Sequence, residues 1–73
     1  MIKRAIGLRI KQIRSEQHIT QEQLAFDSEL SRSYIGDVET GRRNISVETL
    51  LKIIKALKSN LKDFFNSDMF NGV

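Results

Sequence analysis

Residues 31–44 read SRSYIGDVETGRRN, a run dense in groups that bind anions and base edges. Arg32 is the strongest candidate: a guanidinium donates two parallel hydrogen bonds, which fits guanine O6 and N7 and discriminates that base by roughly 1–3 kcal/mol. Ser33 carries a hydroxyl that donates or accepts, so it discriminates weakly. Asp37 repels phosphates but can accept from cytosine N4; pairing with Arg32 or Arg42 is an equally open reading. Tyr34, Arg42, Arg43 and Asn44 bracket these residues and suit phosphate oxygens, contacts that set register without carrying base information. The plainer alternative for all of them is a solvated, hydrophilic surface.

Such groups act together only if a rigid element presents them on one side. Residues 20–41, TQEQLAFDSELSRSYIGDVETG, predict that element. Thr20 caps a helix over about residues 21 to 28, with Gln23 placed to complete a capping box. Ser31 caps a second helix over about 32 to 40, and Gly41 closes it in the left-handed conformation. Two short helices joined by a tight turn describe a helix-turn-helix, whose second helix enters the DNA major groove. At about 100° per residue, Val38 and Glu39 share the side of Ile35, while Ser33, Asp37 and Thr40 point the other way with Gly36 beside them. Glycine inside a helix costs about 0.5–1 kcal/mol relative to alanine, and on this side its missing side chain lets a ligand approach the backbone. Gln21 opens the first of the two helices, where free N–H groups favour an anion. Glu39, close to the core, is expected to form a bidentate ion pair with Arg14 that clamps two helices.

The rest of the chain supplies the scaffold. Ile2, Ile6, Ile10 and Ile13 recur at helical spacing over residues 2 to 17, with Arg9, Lys11 and Gln12 facing away. Ser46 caps a fourth helix carrying Val47, Leu50, Leu51, Ile54 and Leu57, and Ser59 or Asn60 caps a short fifth with Leu61, Phe64 and Phe65. From Asn66 the pattern fades, predicting a frayed end. The reading is an all-α, compact five-helix bundle, a single domain over residues 1–73. Its expected core is Ile6, Ile10, Ile13, Ile19, Leu24, Ala25, Leu30, Ile35, Val38, Leu50, Ile54, Leu57 and Leu61.

Composition bounds the function. There are 73 residues, a net charge of +3 and no Cys. That leaves no disulfide, no thiolate metal site and no thiol nucleophile. The lone His18 has no base or nucleophile arrangement around it, so no enzyme, metal site or cofactor is expected. No signal peptide or membrane span is read, and a cytoplasmic location is the default. No attached sensor segment and no small-molecule ligand are expected. Two-fold operators call for a symmetric dimer presenting its helices about 34 Å apart. Leu61, Phe64, Phe65 and Met69, with Phe70, are the candidate dimer surface. Activation of transcription would need an acidic contact with RNA polymerase, for which Glu22, Asp27 and Glu29 are available.

The stretch from Ile10 to Leu61 resembles the Cro/repressor-type helix-turn-helix family, also called the xenobiotic response element family. IRSEQHITQEQLA, SRSYIGDVETGRRNIS and LLKIIKAL carry the resemblance. It implies a lambda repressor-like five-helix domain that binds operator DNA as a dimer. Base contacts would come from Arg32, Ser33, Gly36 and Asp37, and phosphate contacts from Gln21, Tyr34, Thr40, Arg43 and Asn44; Arg14 and Glu39 would form a structural pair. SRSYIGDVETGRRNIS followed by a helix ending in DFF is similar to the controller proteins of restriction–modification systems, small dimeric regulators of their own promoters. The chain departs from the family pattern at His18 and Glu29, where Gly is common. An antitoxin or adaptor that uses the same scaffold to bind another protein is the rival reading.

Overall fold

Each helix after the first starts where a short polar side chain accepts a free backbone N–H. In the computed structural model, which describes all 73 residues, the elements are α1 (Ile2–Glu16), α2 (Gln21–Ser28), α3 (Arg32–Glu39), α4 (Val47–Ala56) and α5 (Leu61–Phe65). A 3₁₀ turn follows at Asp68–Phe70. Thr20 accepts from the Gln23 N–H at 3.0 Å, Ser31 from Tyr34 at 3.0 Å, Ser46 from Thr49 at 3.1 Å and Asn60 from Asp63 at 2.8 Å. Asn60, not Ser59, therefore opens α5. The capping box at Thr20 is only half made: the Gln23 amide donates forward to Asp27 Oδ1 at 2.9 Å instead of reaching back.

The first four helices end alike. After α1 the His18 N–H donates to Ser15 and the Ile19 N–H to Arg14, the paired reversal that ties off orphan carbonyls. The same pattern recurs at Glu29 and Leu30, at Gly41 and Arg42, and at Lys58 and Ser59. It needs a left-handed residue each time, and φ is 58° at His18, 61° at Glu29, 74° at Gly41 and 58° at Lys58. At Gly41 a Cβ would in addition lie 3.1 Å from Arg4 Cα, tighter than an ordinary contact. The other three carry the conformational cost with a side chain. Changing His18, Glu29 or Lys58 to Gly is expected to stabilise the domain by up to about 1 kcal/mol each, the left-handed penalty less the entropy of glycine. Thermal denaturation checks this, with a rise of roughly 4–8 °C per kcal/mol for a domain of this size.

Ile6, Ile10 and Ile13 of α1 pack against Leu24 and Ala25, Ile35 and Val38, and Leu50, Ile53, Ile54 and Leu57; Phe64 fills the end. Four expectations are corrected by the packing. Phe64 is 0% exposed and belongs to the core, whereas Leu61 is 45% exposed and does not. Arg9 supplies the reason. It does not face away: its Nε donates to the Phe64 carbonyl at 2.7 Å and its Nη2 to Asp63 at 2.8 Å. This draws the second turn of α5, rather than the first, onto α1. Nor does the chain end fray after Asn66. Ser67 caps the 3₁₀ turn, accepting from Met69 N–H at 3.2 Å, and the Phe70 ring lies 4.8 Å from Phe65 and 6.1 Å from Phe64.

A close backbone approach sits beneath α3. Gly7 of α1 is buried, and a Cβ built on it would overlap the Val38 carbonyl oxygen and lie 2.7 Å from that of Glu39. α1 thus crosses the last turn of α3 at backbone distance, fixing how far α3 stands out from the bundle.

Candidate nucleic-acid interface

α3 has two unlike sides. Ile35 and Val38 are buried at 0% and 1% exposure. Arg32, Ser33 and Thr40 are exposed on the opposite side, with Tyr34, Gly36 and Asp37 half-exposed. The division follows the helical spacing. Nothing in the fold covers the outer side: a Cβ added at Gly36 meets no atom nearer than Gln21 Oε1 at 4.0 Å. Glycine at 36 therefore has no packing reason, unlike glycine at 7.

The inner side is fixed by a buried carboxylate. The Glu39 side chain is 2% exposed, and its Oε2 accepts from Arg14 Nε at 2.7 Å. Its Oε1 accepts from Arg14 Nη2 at 3.2 Å and from Gln21 Nε2 at 3.0 Å, while Arg14 Nη1 donates to the Ile19 carbonyl at 2.8 Å. One guanidinium thus joins the end of α1, the turn before α2 and the end of α3. The expected Arg14–Glu39 pair is present in bidentate form, and charge-assisted bonds of this kind are about twice as strong as neutral ones. Gln21 is a third member that the spacing alone did not indicate. Its amide, at the start of α2, donates to Glu39 at the end of α3, leaving one N–H for another partner.

The loop after α3 brings its cations back over the helix. The reversal at Gly41 places the Arg43 guanidinium carbon 4.9 Å from the Tyr34 ring centroid and Nη2 3.6 Å from Asp37 Oδ2. The partner of Asp37 is therefore Arg43, not Arg32 or Arg42, because the left-handed turn folds the fourth residue of TGRR onto the helix. Arg42 and Asn44 are exposed, and Arg32 forms no ion pair. The Thr40 hydroxyl donates to the Gly36 and Asp37 carbonyls at 3.1 and 3.2 Å, so it must rotate before donating to a ligand. Of the residues expected at a dimer surface, Leu61 and Phe65 are exposed and Met69 is half-buried; Phe64 lies in the core.

A slim polar helix, three arginines around it and a second helix braced behind it are the parts of a DNA-reading helix-turn-helix. The helix-turn-helix profile of the Cro/C1 type matches residues 10–64. The chain belongs to this family. Among Cro/C1-type proteins it is 42% identical over 66 residues to the control protein C.BamHI of Bacillus amyloliquefaciens, covering 89% of this chain and 82% of that one. The crystal structure of the restriction–modification controller protein C.AhdI from Aeromonas hydrophila superposes with a TM-score of 0.81 at 40% identity, over 85% of this chain and 94% of that one. The controller protein C.Esp1396I, solved as a tetramer in complex with its natural 35 base-pair operator, gives 0.86 at 37% identity, over 89% and 86%. The similarity to controller proteins read from SRSYIGDVETGRRNIS is thus matched by both sequence and structural relatives. No helix is long and apolar enough to cross a membrane.

Proposed function

We propose that this chain is a sequence-specific DNA-binding transcriptional regulator of the restriction–modification controller kind, acting in the cytoplasm on a palindromic operator as a homodimer. The observation that carries the proposal is the uncovered outer side of α3, where Gly36 has no role in the fold. Arg32, Ser33, Gly36 and Asp37 are assigned to the base edges. Gln21, Tyr34, Thr40, Arg42, Arg43 and Asn44 are assigned to phosphates on either side. A groove about 12 Å wide admits a bare helix but rewards small side chains between the helix and the bases. The similarity to C.Esp1396I, solved on its operator, supports the same partner for this chain.

The dimer surface is assigned to Leu61, Phe65 and Met69 at the α5 end. Two large apolar side chains remain open there, at 45% for Leu61 and 37% for Phe65. Glu22, Asp27 and Glu29 are all exposed on or beside α2, and they are the surface assigned to RNA polymerase if the regulator activates.

The test is binding to the DNA upstream of the protein's own gene, titrated across salt and compared with random duplex. A slope of about −0.9 per phosphate contacted and a strong preference for the upstream DNA are expected. Weak, sequence-blind binding would favour the adaptor reading instead. Sedimentation at tens of micromolar should show a dimer; monomer alone counts against the α5 surface.

A further inference from the structure

We propose that Asp37 and Arg43 form an exchange pair, which couples one base contact to one phosphate contact and suppresses binding to unmatched DNA. The inference rests on α3 being the groove-entering helix and goes beyond it by assigning how this face rejects wrong sequences. Arg43 Nη2 stands 3.6 Å from Asp37 Oδ2, with the two side chains 51% and 38% exposed. An ion pair this open to water holds weakly and parts readily. The guanidinium stacks at 4.9 Å on the Tyr34 ring, which keeps it within reach of Asp37 although no hydrogen bond fixes it. Arg32 and Arg42 have no such partner, so Arg43 is the one reading-face cation held in check.

With the pair closed, Asp37 cancels a cation that would otherwise neutralise a phosphate. With Arg43 moved to a phosphate, the Asp37 carboxylate stands alone on the side that meets the base edges, inside the negative potential of the duplex. Only a donor on a base offsets that, and cytosine N4 or adenine N6 provides one in the major groove. Where such an amine faces Asp37, the pair opens and both members gain a contact. Where a carbonyl oxygen faces it, the pair stays shut and Arg43 is withheld. Discrimination of this kind comes from a repulsive element directed against the wrong partner.

Asp37→Asn removes the charge and keeps the shape; both residues are at the surface, and neither is part of the core. Affinity is measured across salt for wild type and variant on two duplexes: one selected from a random library by the wild-type protein, and a scrambled sequence of the same composition. Asp37→Asn is expected to bind the scrambled duplex about tenfold tighter, with a salt slope steeper by about one, and to lower the preference for the selected duplex about tenfold. Adding Arg43→Gln to Asp37→Asn should abolish the gain on scrambled DNA, whereas Arg43→Gln alone, which leaves the Asp37 carboxylate uncompensated, should bind scrambled DNA more weakly than wild type. Unchanged scrambled binding in Asp37→Asn, or a gain that survives Arg43→Gln, overturns the exchange. A wild-type protein with no preference between the duplexes contradicts the reading of α3 itself, a separate and recognisable outcome.

Discussion

Arg14→Ala is expected to leave much of the protein unfolded at room temperature. The substitution strands the Glu39 carboxylate, 2% exposed and held by Arg14 at 2.7 Å, in the interior. Breaking a buried pair by removing one partner costs about 3–5 kcal/mol. A core of this size supplies only about 3–5 kcal/mol of net stability. The loss is therefore comparable with the whole margin. Gln21, donating to Glu39 Oε1 at 3.0 Å, is a neutral amide and does not replace the cation. Glu39→Ala is expected to cost less, because the Arg14 side chain is 14% exposed and its head can turn toward water. Replacing both residues by Met removes both charges together and should recover part of the loss, since apolar isosteres of buried pairs are often neutral or stabilising. Urea and thermal denaturation followed by circular dichroism give the ranking. Arg42→Ala, at an exposed position without an ion pair, serves as the reference, and an equal shift for Arg14→Ala would remove the clamp from the account.

The second large effect falls on binding and spares the fold. Arg32→Ala is expected to weaken the preferred DNA by roughly 10- to 100-fold, within the 1–3 kcal/mol that a bidentate guanine contact supplies. Arg32→Lys should recover little, because an ammonium cannot offer the paired donors. Melting should stay within a few degrees of wild type, since Arg32 makes no ion pair and a cation in the first turn of a helix opposes its dipole. The decisive pattern is which bases lose their influence. Scanning every base pair of the selected site should show that the wild-type preference for guanine at one position disappears in Arg32→Ala. Arg42→Ala should instead weaken all sequences alike and flatten the salt slope by about one.

Most of the scaffold was readable because local rules decided it. Thr20, Ser31 and Ser46 start their helices as short oxygen-bearing side chains should, and Gly41 ends α3 as expected. The two sides of α3 followed from its 3.6-residue period. The features that escaped depend on partners distant in sequence. Leu61 and Phe64 are both apolar and close together, and which turns inward depends on distant partners: the grip of Arg9 on the α5 carbonyls and the packing of the Phe64 ring with Phe70. Gly7 looks like a tolerated glycine until the α3 carbonyls are brought against it. Lys58 carries no signal for a left-handed φ of 58°, since lysine is an ordinary helix residue; the C-cap hydrogen bonds impose the angle. The Arg43–Asp37 contact could have been found from Gly41, because a left-handed residue turns the following chain back across the helix. At the candidate interface the sequence indicated residue types and the outward side, whereas the Gln21–Glu39 bond and the Tyr34–Arg43 stack needed three dimensions.

The claim that most depends on geometry is that the outer side of α3 lies against a ligand and against nothing in the protein. Gly36→Leu tests it on one sample by measuring melting temperature and DNA affinity together. Outside its own stretch of helix, a Cβ at 36 meets no atom nearer than Gln21 Oε1 at 4.0 Å, so the fold is expected to accept the added side chain. Leaving glycine behind in a helix gains about 0.5–1 kcal/mol, which should raise the melting temperature by a few degrees. The same side chain fills the space between α3 and the bases, and affinity for the upstream duplex should fall by at least about tenfold, a loss at the low end of a single base contact. A variant that melts higher and binds DNA as tightly as wild type would contradict the account.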